Sequence, residues 1–264
     1  MIKSEEKYIT IDNQQVFLKH LRQENFVNDP YTLVLLHDSL GCVTLWRDWP
    51  EMLAKSLGCN VLVYDRIGYG KSDKMKTTKR SKDYLKEEAY FLDKLLDQLQ
   101  IDEVAVFGHS DGASISLLFA AFFPDKTLAV VSEAAHIFVE SITLEGIKMA
   151  DKAYRETNLK ERLEKYHGDK VDDIMHAWVD NWLAEIYLDW NVEEDLENIT
   201  APLLFIQGSD DEYGTLLQVD KTLARVKGHK QKKVFLSTGH TPHKEKKEET
   251  LEVIVEFLNN YVKA

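Results

Sequence analysis

Short unbroken apolar runs punctuate the chain: Thr32-Leu33-Val34-Leu35-Leu36, Val61-Leu62-Val63-Tyr64, Val104-Ala105-Val106-Phe107, Leu128-Ala129-Val130-Val131, Leu203-Leu204-Phe205-Ile206 and Val234-Phe235-Leu236. Runs of this length without alternation predict strands buried on both faces. The opening segment differs. Tyr8-Ile9-Thr10-Ile11, a turn at Asp12-Asn13, and Val16-Phe17-Leu18 predict an antiparallel hairpin. Between the runs the period lengthens to three or four. Leu45, Trp49, Met52, Leu53 and Leu57 predict a helix over 45–57, and Leu85, Ala89, Leu92, Leu95, Leu96 and Leu99 one over 84–99. Residues 111–122 are small and apolar throughout, as in a helix packed under a sheet, and 245–261 predict a closing helix.

Strands alternating with helices predict an α/β fold, a mostly parallel β-sheet flanked by helices on both faces. The alternation lapses once. From Ala134 to Asn198 no buried-strand pattern occurs, and charged helical segments carry Trp178, Trp182, Tyr187 and Trp190. The expected organisation is therefore a core of residues 1–133 and 199–264 with a helical cap, 134–198, inserted over the C-terminal edge of the sheet.

Composition excludes more than it identifies. The formal net charge of −12 lacks the basic face that nucleic acid or an anionic membrane requires, so neither is expected as a partner. The basic loop between Lys71 and Lys82 is flanked by acids and reads as a solvated loop. Cys42 and Cys59 make neither a disulfide framework nor a zinc cluster, which points to a reducing compartment. No apolar stretch approaches the roughly 18 residues of a membrane span. The acidic N-terminal residues do not read as a signal peptide. A cytoplasmic protein acting on a small molecule is expected. A homodimer is one of the assemblies left open.

The chemistry-bearing motif is Gly108-His109-Ser110-Asp111-Gly112, set between a buried strand and a helix of small residues. A serine on so sharp a strand-to-helix turn needs small neighbours two residues to either side, which Gly108 and Gly112 provide. Its hydroxyl then stands at a helix N-terminus, where developing negative charge is favoured. A serine nucleophile needs a base, and the base an orienting acid. The loop after the strand 203–206 holds Gly208-Ser209-Asp210-Asp211-Glu212, and the loop after 234–236 holds Gly239-His240-Thr241-Pro242-His243. The loop His37-Asp38-Ser39-Leu40-Gly41 should supply one oxyanion amide, assigned to Ser39, with the N–H of Asp111 as the second. His136, Trp178 and Trp182 are candidate pocket residues. His243 lies near His240, but no third ligand is apparent, so no metal and no cofactor are expected. The glycine-rich turn Asp65-Arg66-Ile67-Gly68-Tyr69-Gly70 lacks the ending of a phosphate-binding loop and predicts Arg66 bonding backbone carbonyls.

Taken together, the Ser110 turn, the turn from Asp65 to Gly70 and the Gly239-His240 loop resemble the α/β-hydrolase superfamily along nearly the whole chain. The resemblance is closest to a bacterial group of capped hydrolases commonly labelled esterase-like. It implies Ser110, Asp211 and His240 as a triad. The superfamily's Gly-x-x-Asp spacing selects Asp211 over Asp210. The activity it implies is hydrolysis of a small carboxylic ester or thioester through an acyl-enzyme. The same triad also serves C–C bond hydrolases and cofactor-free lyases, and the fold also serves as a non-catalytic ligand-binding receptor. Two positions depart from the pattern. Asp38 stands where a glycine is usual, and Asp111 where a neutral residue is usual. Either one or both face the pocket and disfavour anionic substrates, or Asp38 pairs with Arg66 or another base and Asp111 serves only its helix terminus.

Overall fold

A computed structural model describes residues 1–24 and 30–262. The hairpin forms as β1 (Ile2–Ile11) and β2 (Gln14–Gln23), turning at Asp12 and Asn13, both at positive φ. The buried runs form β3 (Thr32–Leu36), β4 (Asn60–Tyr64), β5 (Val104–His109), β6 (Thr127–Glu133), β7 (Leu203–Gly208) and β8 (Lys230–Phe235). They make one eight-stranded sheet in the order β1-β2-β4-β3-β5-β6-β7-β8. β1 and β2 pair antiparallel, as do β2 and β4, and every later pairing is parallel.

The helices are α1 (Trp49–Leu57), α2 (Tyr84–Leu99), α3 (Asp111–Phe122), α4 (Ser141–Glu156), α5 (Leu159–His167), α6 (Val171–Trp182), α7 (Leu216–Arg225), α8 (Pro242–Glu245) and α9 (Lys247–Tyr261). One face of the sheet packs on Leu92 and Leu96 of α2 and Ile115 and Leu118 of α3, in a core that reaches Trp178 and Trp182 of α6. The other face packs on Leu53 of α1 and on Ile254, Phe257 and Leu258 of α9. Cys42 and Cys59 are buried free thiols. Among the described residues no helix is long and apolar enough to cross a membrane.

Four details differ from the sequence expectation. The expected helix over 45–57 is a 3-10 turn, Val43–Trp46, followed by α1, whose first residues include Pro50. The closing helix is broken at Lys246 into α8 and α9. The last strand begins earlier, at Lys230, and ends at Phe235, leaving Leu236 outside the strand and 77% exposed. Helix α7 has no counterpart among the expected elements.

The parallel strands all end on one edge of the sheet, and the loops that leave them gather there. The loop 37–41 leaves β3, Ser110 comes directly after β5, His136 lies just beyond β6, residues 209–214 leave β7 and residues 236–241 leave β8. Between β6 and β7 the chain forms α4, α5 and α6, with a single isolated bridge, Phe138 to Asn191, outside the named strands.

Candidate active site

Ser110 sits between β5 and α3 with φ 57° and ψ −121°. Left-handed backbone is unfavourable for a residue with a side chain, so neighbours must hold it there. They do so by close approach. A Cβ on Gly108 would lie 2.0 Å from the Gly112 carbonyl oxygen, and one on Gly112 would lie 2.0 Å from the Leu36 carbonyl oxygen. Only glycines allow β3, β5 and α3 to meet at this point. The Ser110 N–H donates to the Glu133 carbonyl at 2.9 Å, fixing the turn to β6.

The Ser110 Oγ lies 2.9 Å from His240 Nε2, and His240 Nδ1 faces both Asp211 oxygens at 2.9 Å. Three strand-end loops thus bring the three residues together. Asp211 is buried and further held by the N–H groups of Tyr213 (2.8 Å) and Gly214 (3.3 Å) and by the Gln207 amide (2.7 Å). Its neighbour Asp210 is exposed and accepts only from Ser209 Oγ among the described residues. Burial alone would push His240 down. The charge and hydrogen bond of Asp211, with Glu212 and Asp38 nearby, outweigh it and hold His240 above its ordinary value. The same pairing overcomes burial at Asp211 and keeps its carboxyl below the usual range. Such an array can draw a proton from a serine hydroxyl and stabilise the imidazolium that results.

A cavity of about 260 Å³ opens over Ser110, lined by Asp38, Ser39, Leu40, His109, Asp111, His136, Thr143, Ile147, Trp178, Trp182, Glu212, Tyr213, His240 and Thr241. Of the site candidates named from the sequence, all but Asp211, which lies behind His240, line this cavity. Among the described residues the N–H groups of Ser39 and Asp111 meet no protein acceptor. Asp38 Oδ1 instead takes the Leu40 N–H at 2.8 Å, and the Gly41 N–H donates to the Asp38 carbonyl at 3.2 Å. The loop is closed on either side of Ser39 and leaves that amide free. His136 is fixed by Ser114, whose Oγ accepts its N–H at 3.0 Å and donates to its carbonyl at 2.6 Å. Its ring lies 6.0 Å from those of His240 and Trp182, and burial with the nearby His240 charge lowers it. Trp178 and Trp182 are both buried core and cavity wall.

The two unusual acids differ in kind. Arg66 donates to the carbonyls of His37 (3.4 Å) and Asp38 (2.9 Å), as the glycine-rich turn predicts. It does not pair with the Asp38 carboxylate. That group faces His109 Nδ1 at 3.3 Å, and His109 Nε2 lies 2.9 Å from the His240 carbonyl. Asp111 is the acid beside Arg66, at 3.7 Å, and its Oδ2 accepts the Tyr84 hydroxyl at 3.0 Å. Tyr84 in turn accepts the Trp182 indole N–H at 3.0 Å, so α6 is tied to the residue after Ser110.

Sequence reasoning missed Thr143, Ile147, Glu212 and Tyr213 in the cavity wall. Glu212 and Tyr213 adjoin Asp211, and that adjacency was the available signal. Thr143 and Ile147, four apart on α4, had none. The sequence shows no third ligand for a His240–His243 pair; in the structure His243 groups instead with residues from other elements. Glu133 and His109 lie beside it, with potential ligand atoms within 4.8 Å of one another. Glu133 Oε2 is buried without a hydrogen-bond partner, while Oε1 is engaged by His243. Glu133 Oε1 accepts the backbone N–H of His243 at 2.8 Å and faces its Nδ1 at 2.9 Å.

Residues 31–186 match the family model described as the alpha/beta hydrolase fold. The chain is 28% identical to a 2-hydroxy-6-oxononadienedioate/2-hydroxy-6-oxononatrienedioate hydrolase of Cupriavidus pinatubonensis, over 87% of each chain. A hydrolase of the same name from Paraburkholderia xenovorans is 29% identical over 86% of each. Among solved structures, a 2-hydroxy-6-oxo-6-phenylhexa-2,4-dienoate hydrolase from a Rhodococcus superposes with a TM-score of 0.81 at 17% identity, covering 98% of this chain and 99% of that one. An enol-lactonase from Burkholderia xenovorans gives 0.74 at 17% identity, covering 96% and 99%. The substrate names of the two curated relatives contain a ketone and two carboxylates and no ester. They replace the esterase-like group as the nearer comparison.

Proposed function

The chain belongs to the α/β-hydrolase fold family, and from that premise we propose that it hydrolyses the C–C bond beside a ketone, with Ser110 as nucleophile. The observation that carries this reading is the continuous relay from Ser110 through His240 to Asp211 at the wall of a mostly apolar cavity. The choice of a C–C bond rests on relatives, aligned over 86–87% of both chains, whose substrates are named as ketones without an ester.

In this mechanism Ser110 Oγ attacks the ketone carbon while its proton passes to His240 Nε2. Asp211 holds the imidazolium. The N–H groups of Ser39 and Asp111 receive the oxyanion, an interaction worth about 3–4 kcal/mol per donor in related chemistry. Collapse of the tetrahedral adduct breaks the adjacent C–C bond. The electron pair passes into the departing fragment, whose carbon takes the proton from His240. That fragment must stabilise the pair, so the bond cleaved lies next to a second carbonyl or is conjugated to one. Water, deprotonated by His240, then releases the acid from Ser110. Helices α4 to α6, within residues 134–198, act as a cap: Thr143, Ile147, Trp178 and Trp182 shield the reacting carbonyl from bulk water.

One observation favours a second reading, ester hydrolysis by the same residues. Among the described residues the cavity wall holds no Lys or Arg to receive two carboxylates. The test is a panel of uncharged β-diketones and vinylogous 1,5-diketones beside p-nitrophenyl esters of matched acyl group. Loss of enol absorbance with formation of one equivalent of carboxylic acid, abolished in Ser110→Ala, supports C–C cleavage. Turnover of esters alone would assign the second reading.

A further inference from the structure

The cavity over Ser110 is lined by three acids, Asp38, Asp111 and Glu212, and among the described residues by no Lys or Arg. Their positions divide them. The Asp111 carboxylate is buried behind the wall between Arg66 and the Tyr84 hydroxyl, and its charge is answered there. The Asp38 side chain remains 24% exposed, with His109 on its Oδ2. Glu212 is exposed, gives Oε2 to the His240 N–H at 3.2 Å, and has no ion-pair partner among the described residues.

Of the cations nearby, Lys244 acts on Asp38 from outside the cavity wall, and two others are committed elsewhere. Arg66 spends its contacts on the carbonyls of His37 and Asp38 and on Asp111. Lys170 is directed at the carbonyls of Tyr69, Gly70 and Ser72. A carboxylate entering the cavity would meet like charge at Asp38 and Glu212 without a partner to offset its desolvation. An uncharged group meets the rings of Trp178 and Tyr213, whose centroids lie 6.2 Å apart. An ammonium meets those same aromatic residues and the Glu212 charge, a combination that attracts cations.

We propose that Asp38 and Glu212 make this a site for substrates whose non-reacting end is uncharged or cationic, and that they exclude a carboxylate at that end. The substrate class then departs from the dienedioates named for the curated relatives. The inference rests on the reading of the Ser110 cavity as the substrate site. It does not depend on whether the bond cleaved is C–C or ester.

The test uses three fluorophosphonates of equal chain length that end in methyl, carboxylate or trimethylammonium. The second-order rate of Ser110 labelling is measured at low and high salt. The methyl and trimethylammonium probes should react roughly 10- to 100-fold faster than the carboxylate probe, as expected for one or two like charges at intermediate dielectric. Glu212→Gln keeps an acceptor for the His240 N–H while removing the charge. It and Asp38→Asn should each shrink that ratio, and salt should shrink it in the unaltered protein. Equal rates, or a faster carboxylate probe, overturn the proposal. Absence of labelling by all three would instead defeat the nucleophile reading. Selectivity is then read from binding to Ser110→Ala, as the shift in Tm with phenylbutyramide, phenylbutylammonium and phenylbutyrate. A smaller shift with the carboxylate supports the proposal. An equal shift, or none with any of the three, overturns it.

Discussion

Ser110 carries backbone strain of the order of 1–3 kcal/mol, and that strain is held in place by neighbours rather than by its own hydroxyl. Replacing the hydroxyl should therefore leave the fold alone. Ser110→Ala is expected to keep its Tm within a degree or two of the parent, while phosphonate labelling and turnover vanish; retained turnover would remove Ser110 from the mechanism. The adjacent acids make a sharper comparison. Asp211 faces His240 Nδ1 and is gripped by the Tyr213 and Gly214 N–H groups, whereas Asp210 points to solvent and Ser209. Asp211→Asn should lower kcat by about 10⁴, the scale seen when the orienting acid of a triad is neutralised, and Asp210→Asn by less than about threefold. Reversed effects would assign the acid role to Asp210. These two residues also show how far the site was legible. Strand-end loops and chain order pointed to the loop, and a family spacing chose between its neighbours. The partners of Asp38 and Asp111 were not legible. Which carboxylate meets Arg66 depends on side-chain direction across three elements, and no local pattern encodes that.

Elements differ in how plainly they announced themselves. Strands with both faces buried, such as β3 and β5, stand out as unbroken apolar runs because every residue in them is core. Strand β8 shows only its end, Val234-Phe235, because it lies at the edge of the sheet and begins Lys230-Gln231-Lys232-Lys233, lysines that also discourage pairing with another chain. Helix α7 starts with the exposed pair Leu216 and Leu217, and its inward face is built from Gln218, Val219 and Thr222, so its apolar positions do not mark the face it buries. The joint between α3 and the rest carries a further expectation. Arg66 is fully buried, with Nε and Nη1 lacking hydrogen-bond partners; Asp111 lies 3.7 Å from its guanidinium, and Glu88 also acts on it. Removing one side of a buried pair leaves an uncompensated charge, at a cost of about 3–5 kcal/mol, which Glu88 makes an upper bound for losing Asp111. Asp111→Ala should lower stability by up to that amount in urea unfolding. Asp111→Asn, which keeps an acceptor for the Tyr84 hydroxyl, should be milder. A loss below about 1 kcal/mol in Asp111→Ala would mean that Arg66 is satisfied without it.

For the whole molecule, the formal net charge of −12 surrounds a base that must be neutral to work. Asp211, Glu212 and Asp38 lift His240 above its ordinary value against the effect of burial, and the remaining acids add a field that salt screens. As a general base His240 accepts the Ser110 proton only when unprotonated, so kcat/KM should rise with pH along a limb centred above about 6.5. Stability runs the other way. A histidine whose folded pKa exceeds its unfolded one contributes stability that is complete below the unfolded pKa and is lost as pH rises through the folded pKa. Between the two values the protein should therefore become more active and lose His240's share of its stability over the same interval. Glu212→Gln should move the acidic limb downward by removing one of the charges responsible, and raising the ionic strength should move it in the same direction. Asp211→Asn should move it furthest, alongside its loss of rate. The measurement is a kcat/KM profile from pH 5 to 9 at two salt concentrations for the three proteins, with urea midpoints taken at the same pH values. A limb below 6.5 in the parent protein, or one unmoved by both Glu212→Gln and salt, would show that burial rather than the surrounding acids governs His240.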